Sequence, residues 1–93
     1  MSDRPLTEFQ REAQHRLEAL VAQMGQQLAL KRAGRSETFL TGAIVPRGIE
    51  VWVYEDELEF KGSGRHRLLE RPDFSSLEEM LDYFLRELRA ALS

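Results

Sequence analysis

The sequence predicts a small α+β fold: one helix, an antiparallel sheet of three or four strands, then a second helix, in the order α-β-β-β(-β)-α. Three observations carry this. Leu77, Met80, Leu81, Phe84, Leu85, Leu88 and Leu92 step by three and four residues, the spacing that lines one face of an α-helix. Residues 49–61 alternate apolar and charged side chains with the period of two that marks a half-buried β-hairpin. Finally, a chain of 93 residues has material for one core, so residues 1–93 are expected to form one domain.

The first helix is expected to start at Thr7. Thr7-Glu8-Phe9-Gln10 has the form of a capping box, in which the threonine oxygen accepts an unpaired backbone N–H and Gln10 reaches back. Phe9, Ala13, Leu17, Leu20, Val21, Met24 and Leu28 then form one apolar stripe, with Arg11, Glu12, Arg16 and Glu18 turned to water. Gly25 costs such a helix about 1 kcal/mol relative to alanine. Residues 26–32 are good helix formers without a β-branched side chain, so the helix is expected to continue to Ala33 and stop at Gly34. If Gly25 ended it, residues 27–32 would form an extra strand. A continuous stripe of that length would exceed what one small sheet can cover, which makes homodimerisation through the first helix an expectation as well.

Residues 38–45 read as the first strand, Pro46-Arg47-Gly48 as a turn, and residues 49–54 as the second strand. Glu55-Asp56 connects to a third strand at 57–61. Gly62-Ser63-Gly64 then turns the chain into a fourth at 65–69. The last helix opens at Ser75-Ser76, before Leu77-Glu78-Glu79.

Composition narrows the function classes. A hydrophobic share of 42% with 31% charged residues is ordinary for a soluble domain, and no apolar run is long enough to span a bilayer. The start, Met1-Ser2-Asp3-Arg4-Pro5, lacks the apolar centre of a signal peptide, and a cytoplasmic location fits. There is no cysteine, hence no disulfide, thiol nucleophile or Cys-ligated zinc; the two histidines, His15 and His66, have no companion ligand at metal spacing. No metal, cofactor or catalytic residue is expected. The net charge of −3 is uneven, +2 over residues 1–47 and −5 over residues 48–93. Such a balance disfavours nonspecific duplex binding and suits a basic protein partner.

The hairpin register makes a statement about the surface. With Glu55-Asp56 as the loop, Val53 faces Leu58 and Val51 faces Phe60, so these four and Ile49 share the core side. Trp52 and Tyr54 then point the other way, with Glu50, Glu57, Glu59 and Lys61, and Glu50 can pair with Lys61 across the strands. If the helices cover only the core side, the other side stays in water. Trp52 and Tyr54, flanked by Glu50, Glu57 and Glu59, are then the candidate contact residues for a protein partner. If the first helix lies over that side, Trp52 becomes core. The expected role is noncatalytic protein binding, as in an inhibitor, an immunity or antitoxin-like factor, or a small chaperone.

Two other classes compete. Lys31, Arg32 and Arg35 sit at the expected end of the first helix; joined in space by Arg47, Arg65, Arg67 and Arg71, they would make a phosphate-binding patch for nucleic acid. Cations at a helix carboxyl end also answer the backbone dipole. The order helix, three strands, helix is shared with double-stranded RNA-binding domains, but the lysine-rich start of their second helix is replaced here by Leu77-Glu78-Glu79, which repels phosphate. Glu59-Phe60-Lys61 resembles the acid-x-Lys step of restriction-endonuclease-like families, a resemblance that implies Mg²⁺ binding by Glu59 and support of the attacking water by Lys61. The upstream acid of those families is replaced by Arg47 after Pro46, so Glu50 or Asp56 would have to supply the second ligand. The Gly62–Gly64 turn and the acidic run at 55–57 read as solvated turns.

Overall fold

The computed structural model describes residues 5–93, so the amino-terminal leader expectation lies largely outside the described residues. Helix α1 spans Glu8–Gln23 and helix α2 spans Leu77–Leu92. Between them lie strands β1 (Lys31–Ala33), β2 (Phe39–Ile44), β3 (Ile49–Val53), β4 (Glu57–Gly62) and β5 (Arg65–Glu70). A short 3-10 turn, Arg71–Asp73, leads into α2. The strands form one antiparallel sheet in the sequential order β1-β2-β3-β4-β5. The α+β class and the helix-sheet-helix order are as the sequence predicts.

Helix α1 begins with the expected capping box: Gln10 N–H donates to Thr7 Oγ1 and Thr7 N–H donates to Gln10 Oε1, both at 3.0 Å. Gln10 is itself buried and its amide donates at 2.8 Å to the Thr38 carbonyl, tying the first turn of α1 to the start of β2. At the other end the expectation of a helix through Ala33 is wrong. Gly25 adopts a left-handed φ of +73°, its N–H donates to the Ala22 carbonyl, and the Gln26 N–H donates to the Val21 carbonyl, each at 3.0 Å. This Schellman arrangement closes α1 at Gln23.

The chain beyond Gly25 runs extended, as Leu28 and Leu30 turn inward while Gln27, Ala29 and Lys31 are exposed. Glu18, expected to face water, is half-buried and accepts the Leu30 N–H at 3.2 Å, binding this segment back to α1. The segment passes so close to β2 that a side chain at Gly42 would collide with the Ala29 carbonyl. It ends in β1, which pairs Lys31 with Thr41 and makes five strands rather than three or four. With α1 this short, the surplus apolar stripe that suggested dimerisation through the first helix is absent.

The β3–β4 register is the expected one: Val53 faces Leu58, Val51 faces Phe60, Trp52 faces Glu59 and Glu50 faces Lys61. Ile49, Val51, Val53, Leu58 and Phe60 are completely buried. They meet Ala13, Leu17 and Val21 of α1 and Met80, Leu81, Phe84 and Leu88 of α2 in one core. The Phe60 and Phe84 rings meet edge to face, 5.4 Å between centroids. Both helices therefore lie on the same side of the sheet, α1 over β2 and β3 and α2 over β4 and β5, and they touch each other. Arg16 bridges them, donating to Asp82 at 2.6 Å. No helix among the described residues is long and apolar enough to cross a membrane.

Candidate functional site

Because opposed residues in an antiparallel ladder share a face, the registers define what the helix-free side presents. One row across the sheet is Lys31, Thr41, Trp52, Glu59 and Leu68. A second row contains Ala43, Glu50, Lys61 and His66. At the other end lie Ala33 and Phe39, then Tyr54, Glu57 and Glu70. The alternative in which α1 covers Trp52 does not hold, since α1 packs on the opposite face. Trp52 and Tyr54 are half-buried by their neighbours on an open sheet, while Glu50 is exposed.

Glu59 organises the middle of this face. Its Oε1 accepts the Tyr54 hydroxyl at 2.9 Å and its Oε2 lies 2.6 Å from His66 Nε2. The Tyr54 ring also stacks at a tilt on Phe39, 5.3 Å between centroids. Loss of water around the Tyr54 hydroxyl, reinforced by its hydrogen bond to Glu59 and the charges of Glu59 and Glu57, pushes the phenol up to about 12. It is a neutral hydrogen-bond donor across the physiological range. Glu57 faces Glu70 in the ladder. Desolvation, a hydrogen bond to Glu70 and the Glu70, Asp56 and Glu59 charges raise its carboxyl above the ordinary value. The face thus carries Phe39 and Tyr54 in ring contact, Trp52 beside them in the next row, and four glutamates, Glu50, Glu57, Glu59 and Glu70, against two lysines, Lys31 and Lys61.

The phosphate-binding candidates are not brought together. Lys31 and Arg32 lie on β1 and Arg35 in the loop behind it, whereas Arg65 and Arg67 lie on β5, at the opposite edge of the sheet. Four strand spacings, about 19 Å, separate the two groups. Nor do Lys31 and Arg32 close a helix. Arg67 instead binds Glu87 of α2 at 2.9 Å, Arg47 donates to the Leu92 carbonyl at the end of α2, and Arg71 donates to the Phe74 carbonyl. The Gly62–Gly64 segment is a tight hairpin turn with positive φ at Ser63 and Gly64, the signature of a type I′ turn.

The nuclease-like step is divided by the pleat, with Phe60 in the core and Glu59 and Lys61 on the open face. Both Glu59 oxygens are engaged within the chain. Among the described residues no group of three or more His, Cys, Asp or Glu side chains is placed to hold a metal ion.

Phe39, His66, Leu68 and Glu70 belong to this face, and sequence reasoning did not include them. For the β5 residues the signal was available: once Ser63-Gly64 is taken as a two-residue turn, residues 66, 68 and 70 fall on the side of Glu59. No protein-family model matches the chain, and no curated protein or solved structure matches it.

Proposed function

We propose that this chain is a noncatalytic protein-binding module that presents the open face of its sheet to a basic partner, working in the cytoplasm as an inhibitor, an immunity or antitoxin-like factor, or a small chaperone. The observation that carries this is the helix-free face on which Trp52 stands among Phe39, Tyr54 and the glutamates. Tryptophan and tyrosine supply large, stiff contact area at low entropic cost and dominate the energetics of many interfaces. Glu50, Glu57 and Glu59 favour a cationic counterpart, which raises the association rate and sets orientation. The hydrogen bonds to Glu59 hold Tyr54 and His66 in place before a partner arrives, which lowers the ordering cost of binding.

The test is capture from nuclease-treated extract, followed by direct binding of the captured protein to purified wild type, Trp52→Ala and the Arg35→Ala, Arg65→Ala pair. Trp52→Ala is expected to weaken binding by about 2 kcal/mol, roughly thirtyfold, with the arginine pair near wild type. A partner that binds Trp52→Ala as tightly as wild type, or capture that disappears with nuclease treatment, refutes the proposal.

A further inference from the structure

The two edges of the sheet differ. The β1 edge is three residues long and carries Lys31 and Arg32, the short, charged form that resists pairing with another chain. The β5 edge is twice as long, six residues, and among Arg65, His66, Arg67 and Glu70 it carries an apolar side chain, Leu68, that is 50% exposed. We infer that β5 is a homodimerisation edge, pairing antiparallel with β5 of a second copy about a two-fold axis that passes between the two Leu68 residues.

Backbone polarity selects the register. Gly62 and Arg65 close a two-residue hairpin, so they form a hydrogen-bonded pair. Alternation then turns the N–H and C=O of residues 65, 67 and 69 toward β4 and those of His66, Leu68 and Glu70 outward. Two contacts agree: the Arg71 N–H donates inward to the Asp56 carbonyl, and the His66 carbonyl is reached from outside by the Arg67 guanidinium. A two-fold normal to the sheet keeps the faces aligned, so only registers that oppose residues of like orientation are allowed. The one that opposes Leu68 to Leu68 engages all three outward residues of each copy. It also sets each His66 against Glu70 of the other copy and Arg67 against Leu69, while Arg65 meets Arg71 of the other copy only beyond the last strand residue, Glu70. The Arg67 guanidinium leaves the His66 carbonyl and keeps its bond to Glu87.

The helix layer fits the same axis. Helix α2 packs over β4 and β5, so its axis lies roughly 5 Å from the two-fold, given strands about 4.8 Å apart. Two copies of α2 then run about 10 Å apart, within the range of packed helices. The flank that meets is marked by Glu87, which reaches β5 through Arg67, and by Tyr83, exposed one turn earlier. Pairing at β5 joins the two open faces into one continuous surface and is independent of what that surface binds.

Sedimentation equilibrium of the purified full chain across a dilution series is expected to show a monomer–dimer equilibrium. Leu68→Lys, a change at an exposed site, places like charges at the axis and raises the dimer dissociation constant by at least about tenfold, with the circular dichroism spectrum unchanged. A second variant gives an independent readout. The chain has no cysteine, and opposed residues of a hydrogen-bonded pair lie about 5.5 Å apart at Cα, within disulfide range. Leu68→Cys is therefore expected to form intermolecular disulfides at least about tenfold faster than Ala43→Cys, which lies on β2 of the same face. A wild type that is monomeric at every concentration, a dimer unaffected by Leu68→Lys, or equal cross-linking of the two cysteine variants each overturns the inference.

Discussion

Glu59 is the residue on which the open face turns, because one carboxylate serves Tyr54 from one side and His66 from the other. Its removal has a spectroscopic consequence. In a Tyr83→Phe background, which leaves Tyr54 as the sole tyrosine, phenolate absorbance is expected to titrate near 12, and Glu59→Gln is expected to move the midpoint down toward the ordinary 10.0. The folded chain holds the Tyr54 proton more tightly than the unfolded chain, so this group's contribution to stability is present below 10.0 and is lost as the pH rises toward 12. Glu57 has the same sign in a more useful range. Its raised carboxyl means that the folded state binds the proton more tightly and that stability declines as pH rises above the ordinary 4.5. Glu57→Gln removes the repulsion with Glu70 and is expected to stabilise the protein at pH 7 by roughly 0.2–1 kcal/mol. Thermal melts from pH 4 to 8 should show that advantage shrink as the solution becomes acid.

At the scale of elements, the instructive case is the passage from α1 to β1. Intrinsic propensity over residues 26–32 favours helix, and that preference loses to two other terms. The left-handed Gly25 satisfies two terminal carbonyls of α1, and Leu28 and Leu30 reach the core with a period of two only if the chain is extended. The glycines on either side of this passage should respond differently to alanine. At Gly25 there is open space for a methyl group, so Gly25→Ala carries only the left-handed backbone cost, about 1–2 kcal/mol. At Gly42 the obstacle is the Ala29 carbonyl, which belongs to the backbone, so Gly42→Ala must displace the whole crossing segment. Chemical denaturation is expected to rank Gly42→Ala as the more destabilising. The β3–β4 hairpin is the opposite case. There, alternation, the acidic turn and burial agree, and each of Ile49, Val51, Val53, Leu58 and Phe60 lies in the core where the pattern puts it.

For the whole molecule, two helices on one side of five strands leave the other face of the sheet without a covering element. That arrangement links the proposals without making either depend on the other. The partner-binding face is tested at Trp52, near the middle of the sheet, and the homodimer at Leu68, on its edge. Leu68→Lys is expected to weaken the dimer at least about tenfold, and because Leu68 lies opposite Glu59 on the open face, its added cation also lowers the affinity for a basic partner. Trp52→Ala, on the central strand, is expected to weaken partner binding while leaving the monomer–dimer equilibrium within about threefold of wild type, and calorimetry with sedimentation on that variant separates the two. A partner that requires both copies would instead show a loss of affinity through avidity, as a change in stoichiometry.

The helices, their caps at Thr7 and Ser76, the hairpin register and the face carrying Trp52 and Tyr54 follow from local periodicity and turn chemistry, which act over a few residues and leave their mark in the order of side chains. Three things were decided only by tertiary structure. Burial of Leu28 and Leu30, with Glu18 holding the Leu30 N–H, overrode helix propensity and made β1. The sheet order kept Arg32 and Arg35 at one edge and Arg65 and Arg67 at the other, so the two groups that a phosphate-binding patch would need to join in space stay apart. Both helices packed on one face, and so Trp52 became surface rather than core. Each of these outcomes turns on contacts between residues distant in sequence, where the free energy depends on which surfaces meet and not on what any short segment prefers alone.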